Sequence, residues 1–210
     1  MVWINRRLAG QALASSLLRH VDDWLLSGSL VVALPRGGVE VGVEVALGLQ
    51  LPLTTWSVRK LSLPDAPEVA VGAIAPGGLS LWTVDGKRLP PTTRAAILAR
   101  AQRELQRRQN LYHDAAPGDL TGRGLILVDD GIATGMTILA ALHSLLEHNP
   151  RSLILAVPVV DRSLVSLISG LCTHFLALDI VTDLQAVGSY YRDFPPVSDA
   201  RVLELLSMAR

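Results

Sequence analysis

Residues 125–137, LILVDDGIATGMT, place two adjacent carboxylates at the end of an apolar run. Asp129 and Asp130 are followed by a short stretch that holds two glycines and two threonines. Carboxylates accept hydrogen bonds from hydroxyl groups or hold Mg²⁺ through water, whereas glycine-rich turns and helix N-termini bind phosphate through backbone N–H groups. The segment therefore predicts a ligand with a phosphate at one end and a hydroxylated or metal-bound part at the other.

A strand, a turn and a helix would position these groups. The run at 124–129 has the length and composition of a buried strand, and a helix is expected from about Gly135. In a parallel sheet, ligands bind outside the carboxyl ends of the strands. Gly131 and Gly135 can adopt positive φ and let the backbone approach phosphate oxygens. The hydroxyls of Thr134 and Thr137 add further donors.

Other acid- or glycine-bearing motifs fit this segment less well. A Walker A loop requires Lys before its Ser or Thr, and the dinucleotide-binding fingerprint requires a different glycine spacing in the first β-α turn. A response-regulator receiver domain also pairs two acids, but on its first strand. An acidic capped turn that binds no ligand stays open as the alternative.

The rest of the sequence predicts an α/β fold with a twisted parallel sheet flanked by helices. Short apolar runs predict buried strands, and apolar residues at helical spacing predict the helices between them. The expected strands are 30–34, 53–58, 124–129, 152–160 and 174–181. The expected helices are 8–26, 39–48, 92–112, 135–148, 162–171 and 199–209.

One long excursion, residues 59–91, interrupts this alternation. It is rich in Pro and Gly and contains two short alternating runs, 70–75 and 79–84, on either side of PGG at 76–78. This pattern predicts a hairpin. An excursion of this length inside a compact domain usually serves a function, so we interpret residues from about 60 to 91 as a lid over the ligand.

Composition limits the class of protein. The 210 residues predict a single domain, 1–210, and half of them are apolar. The mean hydropathy of +0.37 is high, yet no apolar run is long enough to cross a bilayer. We therefore expect a buried parallel sheet and a subunit interface, and hence a homodimer. The single cysteine, Cys172, excludes a disulfide framework and a cysteine metal site.

Charge and the first residues bear on partners and location. The formal net charge is zero, which gives no bulk attraction to nucleic acid or an anionic membrane, so neither DNA nor membrane is an expected partner. The N-terminal residues lack the apolar core of a signal peptide, and the cytoplasm is the expected compartment. The arginines of the 92–112 helix are interpreted as a solvated face rather than an RNA-binding surface.

At this point the sequence resembles a known family, the type I phosphoribosyltransferases. The segment 125–137 resembles the family's motif for phosphoribosyl pyrophosphate (PRPP). LPRGG at 34–38 is similar to its pyrophosphate loop, and VRK at 58–60 resembles the basic residues that reach pyrophosphate. The ends, NRRLAG at 5–10 and AVGSYYRDF at 186–194, resemble a bacterial and archaeal group whose acceptors are unassigned.

The resemblance implies a reaction and its residues. Such an enzyme displaces pyrophosphate from C1 of PRPP with a nitrogen nucleophile, with Mg²⁺ as cofactor. Asp129 and Asp130 would be the catalytic acids, holding the ribose hydroxyls and, through water, the metal. The 5′-phosphate would be bound by Gly131, Ala133, Thr134, Gly135, Met136 and Thr137. Pyrophosphate would be bound by Arg36, Gly37, Arg59 and Lys60.

The acceptor site is implied by the resemblance in the same way. The family builds it as a hood, here the N-terminal segment together with residues 180–199. Purine-salvage members stack an aromatic side chain on the base, whereas this chain has Leu184 and Gln185 at that place. Tyr190 and Tyr191 come later and could substitute, or they could serve packing or a dimer interface. Leu184, Tyr190 and Tyr191 are the candidate acceptor residues.

Two other functions stay open from the sequence. A regulator could bind PRPP or a nucleotide without turnover, which would suit the missing stacking aromatic. A hydrolase of a phosphorylated sugar is the third hypothesis. Acceptor-dependent release of pyrophosphate from PRPP would distinguish the transferase from both.

Overall fold

The computed structural model describes residues 2–209, except for the side chains of residues 67 and 68. Its centre is a five-stranded sheet in which every neighbouring pair is parallel. The strand order is β2-β1-β6-β7-β8. These strands are β1 (Leu30–Ala33), β2 (Leu53–Thr55), β6 (Gly124–Val128), β7 (Ser152–Asp161) and β8 (His174–Val181). The predicted fold class, a parallel sheet flanked by helices, is confirmed.

The sheet is covered on both faces, and this explains its continuous apolar strands. Every residue of β1, β6 and β7 is buried. The helices are α1 (Arg6–His20), α2 (Asp23–Leu26), α3 (Gly37–Leu49), α4 (Val84–Arg88), α5 (Pro91–Tyr112), α6 (Pro117–Leu120), α7 (Met136–Leu146), α8 (Val165–Ser169) and α9 (Asp199–Met208). Helices lie on both faces of this sheet, whereas α4 and most of α5 pack on a second sheet. A strand that is buried on both faces cannot alternate polar and apolar residues.

Strand β6 shows how its side chains divide between the two faces. Leu125 and Leu127 pack in the cluster that includes α7, whereas Ile126 and Val128 pack in the cluster that includes α1 and α3. The neighbours of β1 are β2 on one side and β6 on the other, so the winding of the chain reverses between β1 and β6. The carboxyl edge at such a reversal is where open α/β sheets bind ligands.

The prediction of one continuous helix over residues 8–26 is wrong. This segment consists of α1, which ends at His20, and the short α2. Val21 is extended (φ −117°, ψ 133°) and breaks the helix between them. At the start, the side chain of Asn5 accepts a hydrogen bond from the N–H of Leu8 and caps α1. Helical spacing left Trp24 or Leu25 as the core residue at this point, and Leu25 is buried whereas Trp24 is 62% exposed.

The second predicted strand, 53–58, is also too long. The chain leaves the parallel sheet after Thr55, and the N–H of Ser57 donates to the carboxylate of Asp114 (2.7 Å) instead of a neighbouring strand. Arg59 and Lys60 therefore do not end a strand of the central sheet. They begin β3 (Arg59–Leu63), which belongs to a second sheet.

This second sheet contains the predicted hairpin and adds a third strand to it. It is antiparallel, with order β3-β4-β5, where β4 is Ala66–Ile74 and β5 is Ser80–Trp82. Leu61, Val71 and Ile74 pack against Ile97 and Ala101 of α5 in a small core of their own. The excursion is thus a packed layer, with the predicted hairpin as two of its three strands. Its role as a lid stays a prediction.

The remaining elements lie close to their predicted places. The predicted helices 39–48, 92–112, 135–148 and 199–209 correspond to α3, α5, α7 and α9. The predicted helix 162–171 is shorter, because residues 162–164 form a 3₁₀ turn before α8. Within residues 2–209, no helix combines the length and the apolar character that crossing a membrane requires.

The two parts of the predicted hood, the N-terminal segment and the segment before α9, are in contact. Trp3 forms a parallel bridge with Tyr191, and its N–H donates to the carbonyl of Tyr190 (2.8 Å). The N–H of Arg192 donates back to the carbonyl of Trp3 (2.8 Å). The segment before α1 is thereby fixed to residues 190–193, above the carboxyl edge of the sheet.

Candidate active site

A cleft of about 600 Å³ lies at the carboxyl edge of the sheet, where β1 and β6 end. Four parts of the chain line it: the loop after β1, the loop after β6, the start of β3, and the hood. Lys60 is the lining residue from β3, and Phe194 is one of those from the hood. The site predicted from separate sequence segments is therefore one continuous cleft.

Asp129 and Asp130 lie at the centre of this cleft. The backbone N–H of Asp130 donates to Oδ1 of Asp129 (2.9 Å). Burial raises the pKa of Asp129 well above its usual value, and the charge of Asp130 raises it further. Burial also raises the pKa of Asp130, although the nearby Arg6 opposes this rise. Two acids held in this way favour a positively charged partner between them.

Arg6 supplies one such partner from the start of α1. Its Nε donates to Oδ2 of Asp130 (2.8 Å), and its NH1 donates to the carbonyl of Pro195 (2.9 Å) and lies 3.4 Å from Glu40. The guanidinium sits over the ring of Phe194, 3.6 Å from the centroid. Only 5% of Arg6 is exposed. A planar cation that is buried, stacked and hydrogen-bonded fixes the orientation of the carboxylate it meets.

The hood holds Asp130 from a second side. The hydroxyl of Tyr191 donates to the carbonyl oxygen of Asp130 (2.6 Å). The Tyr191 ring stacks on Phe194 with centroids 4.9 Å apart, and Phe194 in turn lies under Arg6. Burial raises the pKa of Tyr191, so this hydroxyl stays protonated and remains a donor.

The loop from Gly131 to Thr137, for which an anion cradle is predicted, lines the cleft between β6 and α7. Gly135 has φ +76° and caps the 11-residue helix α7, whose N-terminus points into the cleft. A Cβ at Gly131 would lie 2.6 Å from the side chain of Val187, so only glycine fits there without displacing the hood. Free N–H groups at a helix N-terminus, together with the hydroxyls of Thr134 and Thr137, suit a phosphate.

The loop after β1 approaches the acids closely because it contains two glycines. A Cβ on Gly37 would clash with Oδ2 of Asp130, and one on Gly38 would lie 2.9 Å from Oδ1 of Asp129. The peptide bond between Pro35 and Arg36 is cis. The side chain of Arg36 is half-exposed and pairs with Asp199 in the first turn of α9 (3.5 Å).

The match to a known protein family covers most of the chain. The family model described as a phosphoribosyl transferase domain matches residues 4–179. This chain belongs to the phosphoribosyltransferase family. The match covers the central sheet, the second sheet and the cleft loops, and ends within β8.

Curated relatives agree with this membership. A Mycobacterium tuberculosis protein with a provisional phosphoribosyl transferase name is 39% identical over 213 residues. The alignment covers 98% of this chain but 46% of that protein, so the chain spans about half the length of this relative. A uracil phosphoribosyltransferase from Bifidobacterium longum is 31% identical over 109 residues, which cover 51% of this chain and 49% of that enzyme.

Solved structures support the fold. A Thermus thermophilus protein of known crystal structure superposes with a TM-score of 0.77 at 34% identity, covering 100% of this chain and 99% of the other. An adenine phosphoribosyltransferase from Giardia lamblia, crystallised with 9-deazaadenine, superposes with a TM-score of 0.50 at 14% identity. That alignment covers 83% of this chain and 80% of the other, and it shows the shared fold alone.

The structure brings most of the predicted phosphoribosyltransferase residues to this cleft. The lining includes both acids, both pyrophosphate residues of the first loop, Lys60, and all but one of the predicted phosphate residues. The side chain of Met136 instead packs against the main core. Arg59 lines a neighbouring cleft, on the side of β3 that faces α5.

The predicted acceptor residues lie at the edge of the cleft rather than in it. Leu184 is buried, and its N–H donates to Asp161 (2.8 Å). Tyr191 packs against Phe194, which is the packing alternative that the sequence left open. Within the 180–199 part of the hood, the residues that line the cleft are instead 185–188 and Phe194.

Arg6 is the main residue that the sequence alone did not identify. It lies inside the NRRLAG segment, yet nothing in its local spacing marks it, because its partner Asp130 is 124 residues away. A signal does exist in Asn5, a strong helix N-cap residue. A cap at Asn5 places Arg6 at the first turn of a helix, at the carboxyl edge of the sheet.

Proposed function

We propose that this chain transfers a phosphoribosyl group from PRPP to a nitrogenous small-molecule acceptor and releases pyrophosphate. The observation that carries the proposal is the convergence of the β1 loop, the acid pair and the α7 N-terminus on a single cleft. Each of these parts suits a different portion of one ligand. Family membership supports the reaction class.

In this proposal the cleft residues bind and orient the substrate. The backbone from Ala133 to Thr137 binds the 5′-phosphate, and the two acids accept hydrogen bonds from the ribose hydroxyls. Arg36, Gly37 and Lys60 bind the departing pyrophosphate. The cations stabilise negative charge on the leaving group, while the carboxylates tolerate positive charge on the sugar. Catalysis then depends on positioning and electrostatics, without a covalent nucleophile.

The acid pair also fits Mg²⁺ bound together with PRPP. Hydrogen bonds occupy Oδ1 of Asp129 and Oδ2 of Asp130, which leaves one oxygen of each carboxylate without a described hydrogen bond. No cluster of three metal-binding side chains occurs among the residues whose positions are described. Mg²⁺ commonly uses one or two carboxylates plus substrate phosphates, so two acids suffice. When bound, the ion would neutralise charge on the pyrophosphate.

The acceptor in this proposal lies beside residues 185–188 of the hood. The lining there offers the amide of Gln185, the small residues Ala186 and Gly188, and the side chain of Val187. Phe194 is stacked between Tyr191 and Arg6, so its faces are occupied. An acceptor that depends on hydrogen bonds rather than on ring stacking suits these residues better.

One experiment tests the reaction. Release of pyrophosphate from PRPP with Mg²⁺ is measured with and without a panel of nucleobases and amines. Release that requires an acceptor supports the transferase. Release that needs no acceptor would instead identify a hydrolase.

Light scattering of the same sample tests the expected homodimer.

A non-catalytic regulator is the second candidate, and one contact favours it. Oδ2 of Asp130 is held by Arg6 at 2.8 Å, so part of the acid pair is already occupied by protein. A sensor can bind PRPP without freeing that carboxylate. Binding of PRPP without any release of pyrophosphate across the acceptor panel would support this candidate over the transferase.

A further inference from the structure

A second cleft, of about 460 Å³, lies between α5 and β3 beside the candidate active site. Its charged lining residues are Arg59, Lys60, Arg100, Arg103, Arg107 and Glu104. Five cations and one acid thus face one small volume in a chain whose formal net charge is zero. The arginines of α5 are therefore more than the solvated face that the sequence predicts.

The single acid of this cleft is already paired. Glu104 receives hydrogen bonds from Arg107 (2.8 and 3.0 Å) and from the buried Arg108 (2.9 Å). These bonds lower the pKa of Glu104 to about 2, so it stays ionised and engaged at neutral pH. Glu104 is therefore bound to Arg107 and Arg108, and it offsets only part of the charge of Arg59.

Four cations remain without a described partner. Among residues 2–209, the side chains of 67 and 68 aside, no ion pair or side-chain hydrogen bond involves Arg59, Lys60, Arg100 or Arg103. Burial lowers the pKa of Arg59, and the charges of Arg108, Arg100 and Arg36 lower it further, although Glu104 opposes them. An anion bound in the cleft would reduce the electrostatic repulsion among these cations.

The shape of the cleft indicates the size of its ligand. Arg100, Arg103 and Arg107 lie on one side of α5 and span about 10 Å of helix axis, which exceeds a single phosphate group. The half-buried Leu63 and the small exposed parts of Ile97 and Ala101 form an apolar floor between the two charged walls. The cleft therefore offers both a row of cations and an apolar surface.

We propose that this cleft binds a small polyphosphorylated ligand of the nucleoside triphosphate class. The phosphates lie between Arg59 on β3 and Arg100 and Arg103 on α5, and the ring portion lies on the floor at Ile97 and Ala101. This goes beyond phosphoribosyl transfer and does not depend on it. A long nucleic acid fits less well, since its affinity needs an extended basic surface and this chain is neutral overall.

Calorimetric titration tests the site with two probes, inorganic tripolyphosphate and ATP. Lys60 belongs to the proposed pyrophosphate site and Arg59 is its neighbour on β3, so the test variant is R100A/R103A, on the exposed side of α5. Alanine preserves the helix. The matched control, R19A/R88A, removes two exposed arginines outside the cleft. We expect R100A/R103A to bind each probe with an affinity lower by about tenfold or more, the scale of lost charged hydrogen bonds. The control variant should bind both probes with the affinity of the wild type.

Amide hydrogen exchange locates the binding. Tripolyphosphate should slow exchange over 59–63 and 97–107 in the wild type, and should not do so in R100A/R103A. The proposal is overturned if the wild type binds neither probe, if both double variants lose affinity equally, or if protection is confined to 131–137. A short single-stranded RNA that binds through Arg100 and Arg103 where ATP does not would also overturn the ligand class.

Discussion

Arg6 and Asp130, 124 residues apart, form a hydrogen-bonded ion pair of 2.8 Å between the hood and the end of β6. The exposed fraction is 6% for the Arg6 side chain and 14% for that of Asp130. The first turn of α1 is therefore linked directly to the acid pair of the candidate site. The pair thus ties the N-terminal part of the hood to the end of β6.

Replacing Arg6 by Met should destabilise the protein, because it leaves a buried carboxylate without its partner. We expect a loss of roughly 3 kcal/mol in the free energy of unfolding, near the low end for broken buried pairs since Asp130 can take up a proton. Urea denaturation measures the loss. The matched control is Arg7→Met, whose side chain is 70% exposed and should change stability by less than about 0.5 kcal/mol. Equal stability of both variants would contradict the role of the pair.

Gly37→Ala should reduce activity more than stability. Its new methyl group meets the carboxylate of Asp130 and must displace either the loop or the acid. A displacement of about 1 Å at such a site can lower turnover by about 10²-fold. The control is Gly118→Ala, where a Cβ meets no atom within 4 Å. Pyrophosphate release from PRPP compares the two, and an active Gly37→Ala enzyme would rule out the close packing of loop and acid.

Asp161 ties the hood to the end of β7. Its Oδ1 accepts from the N–H and hydroxyl of Ser163, and its Oδ2 accepts from the N–H of Leu184 (2.8 Å). These bonds lower its pKa. A lowered carboxylate pKa stabilises the fold above the unfolded value of about 3.9, and the gain is lost as pH falls through the folded value.

Asp161→Asn should therefore melt at a lower temperature than the wild type at pH 7. The difference should shrink as pH falls below about 4, because the wild-type group then also loses its charge. Thermal melts at a series of pH values measure this difference. A gap that stays constant down to pH 2 would show that the charge of Asp161 plays no part.

The thiol of Cys172 should react slowly with disulfide reagents in the folded protein. Burial raises its pKa to about 12, and its Sγ donates to the carbonyl of Ile168 (3.1 Å). At pH 8 the thiolate fraction is then about 10³-fold below that of a free cysteine with a pKa of about 8.5. Reaction with a disulfide reagent should be correspondingly slow in buffer and fast in denaturant. Comparable rates in both solvents would show that Cys172 is accessible in the native state.

The sequence predicts the central sheet well, since buried parallel strands are continuous apolar runs with distinct boundaries. Strand β8 occupies residues 174–181 as predicted. The prediction is wrong where a distant partner decides the backbone. The carboxylate of Asp114 accepts a hydrogen bond from the N–H of Ser57, and β2 ends before this residue although the local sequence favours a longer strand. The packing of the second sheet on α5 likewise depends on contacts that no local pattern contains.

The candidate site divides in the same way. The acid pair, the glycines and the loop threonines are contiguous, so their spacing identifies them. Arg6, Phe194 and the second basic cleft arise from chain segments that meet only after folding. Leu184, a predicted acceptor residue within the hood, lines a separate cleft beside Asp161, to which its N–H donates, and not the main cleft.

Asp130→Asn tests the central claim most directly, with Asp85→Asn, whose side chain is 85% exposed, as the matched control. The measurement is the initial rate of acceptor-dependent pyrophosphate release from PRPP with Mg²⁺. We predict wild-type rates for Asp85→Asn and a rate lower by about 10²-fold or more for Asp130→Asn, the scale of a lost electrostatic contact to the transition state. A wild-type rate in Asp130→Asn would contradict the assignment of the acid pair to phosphoribosyl transfer.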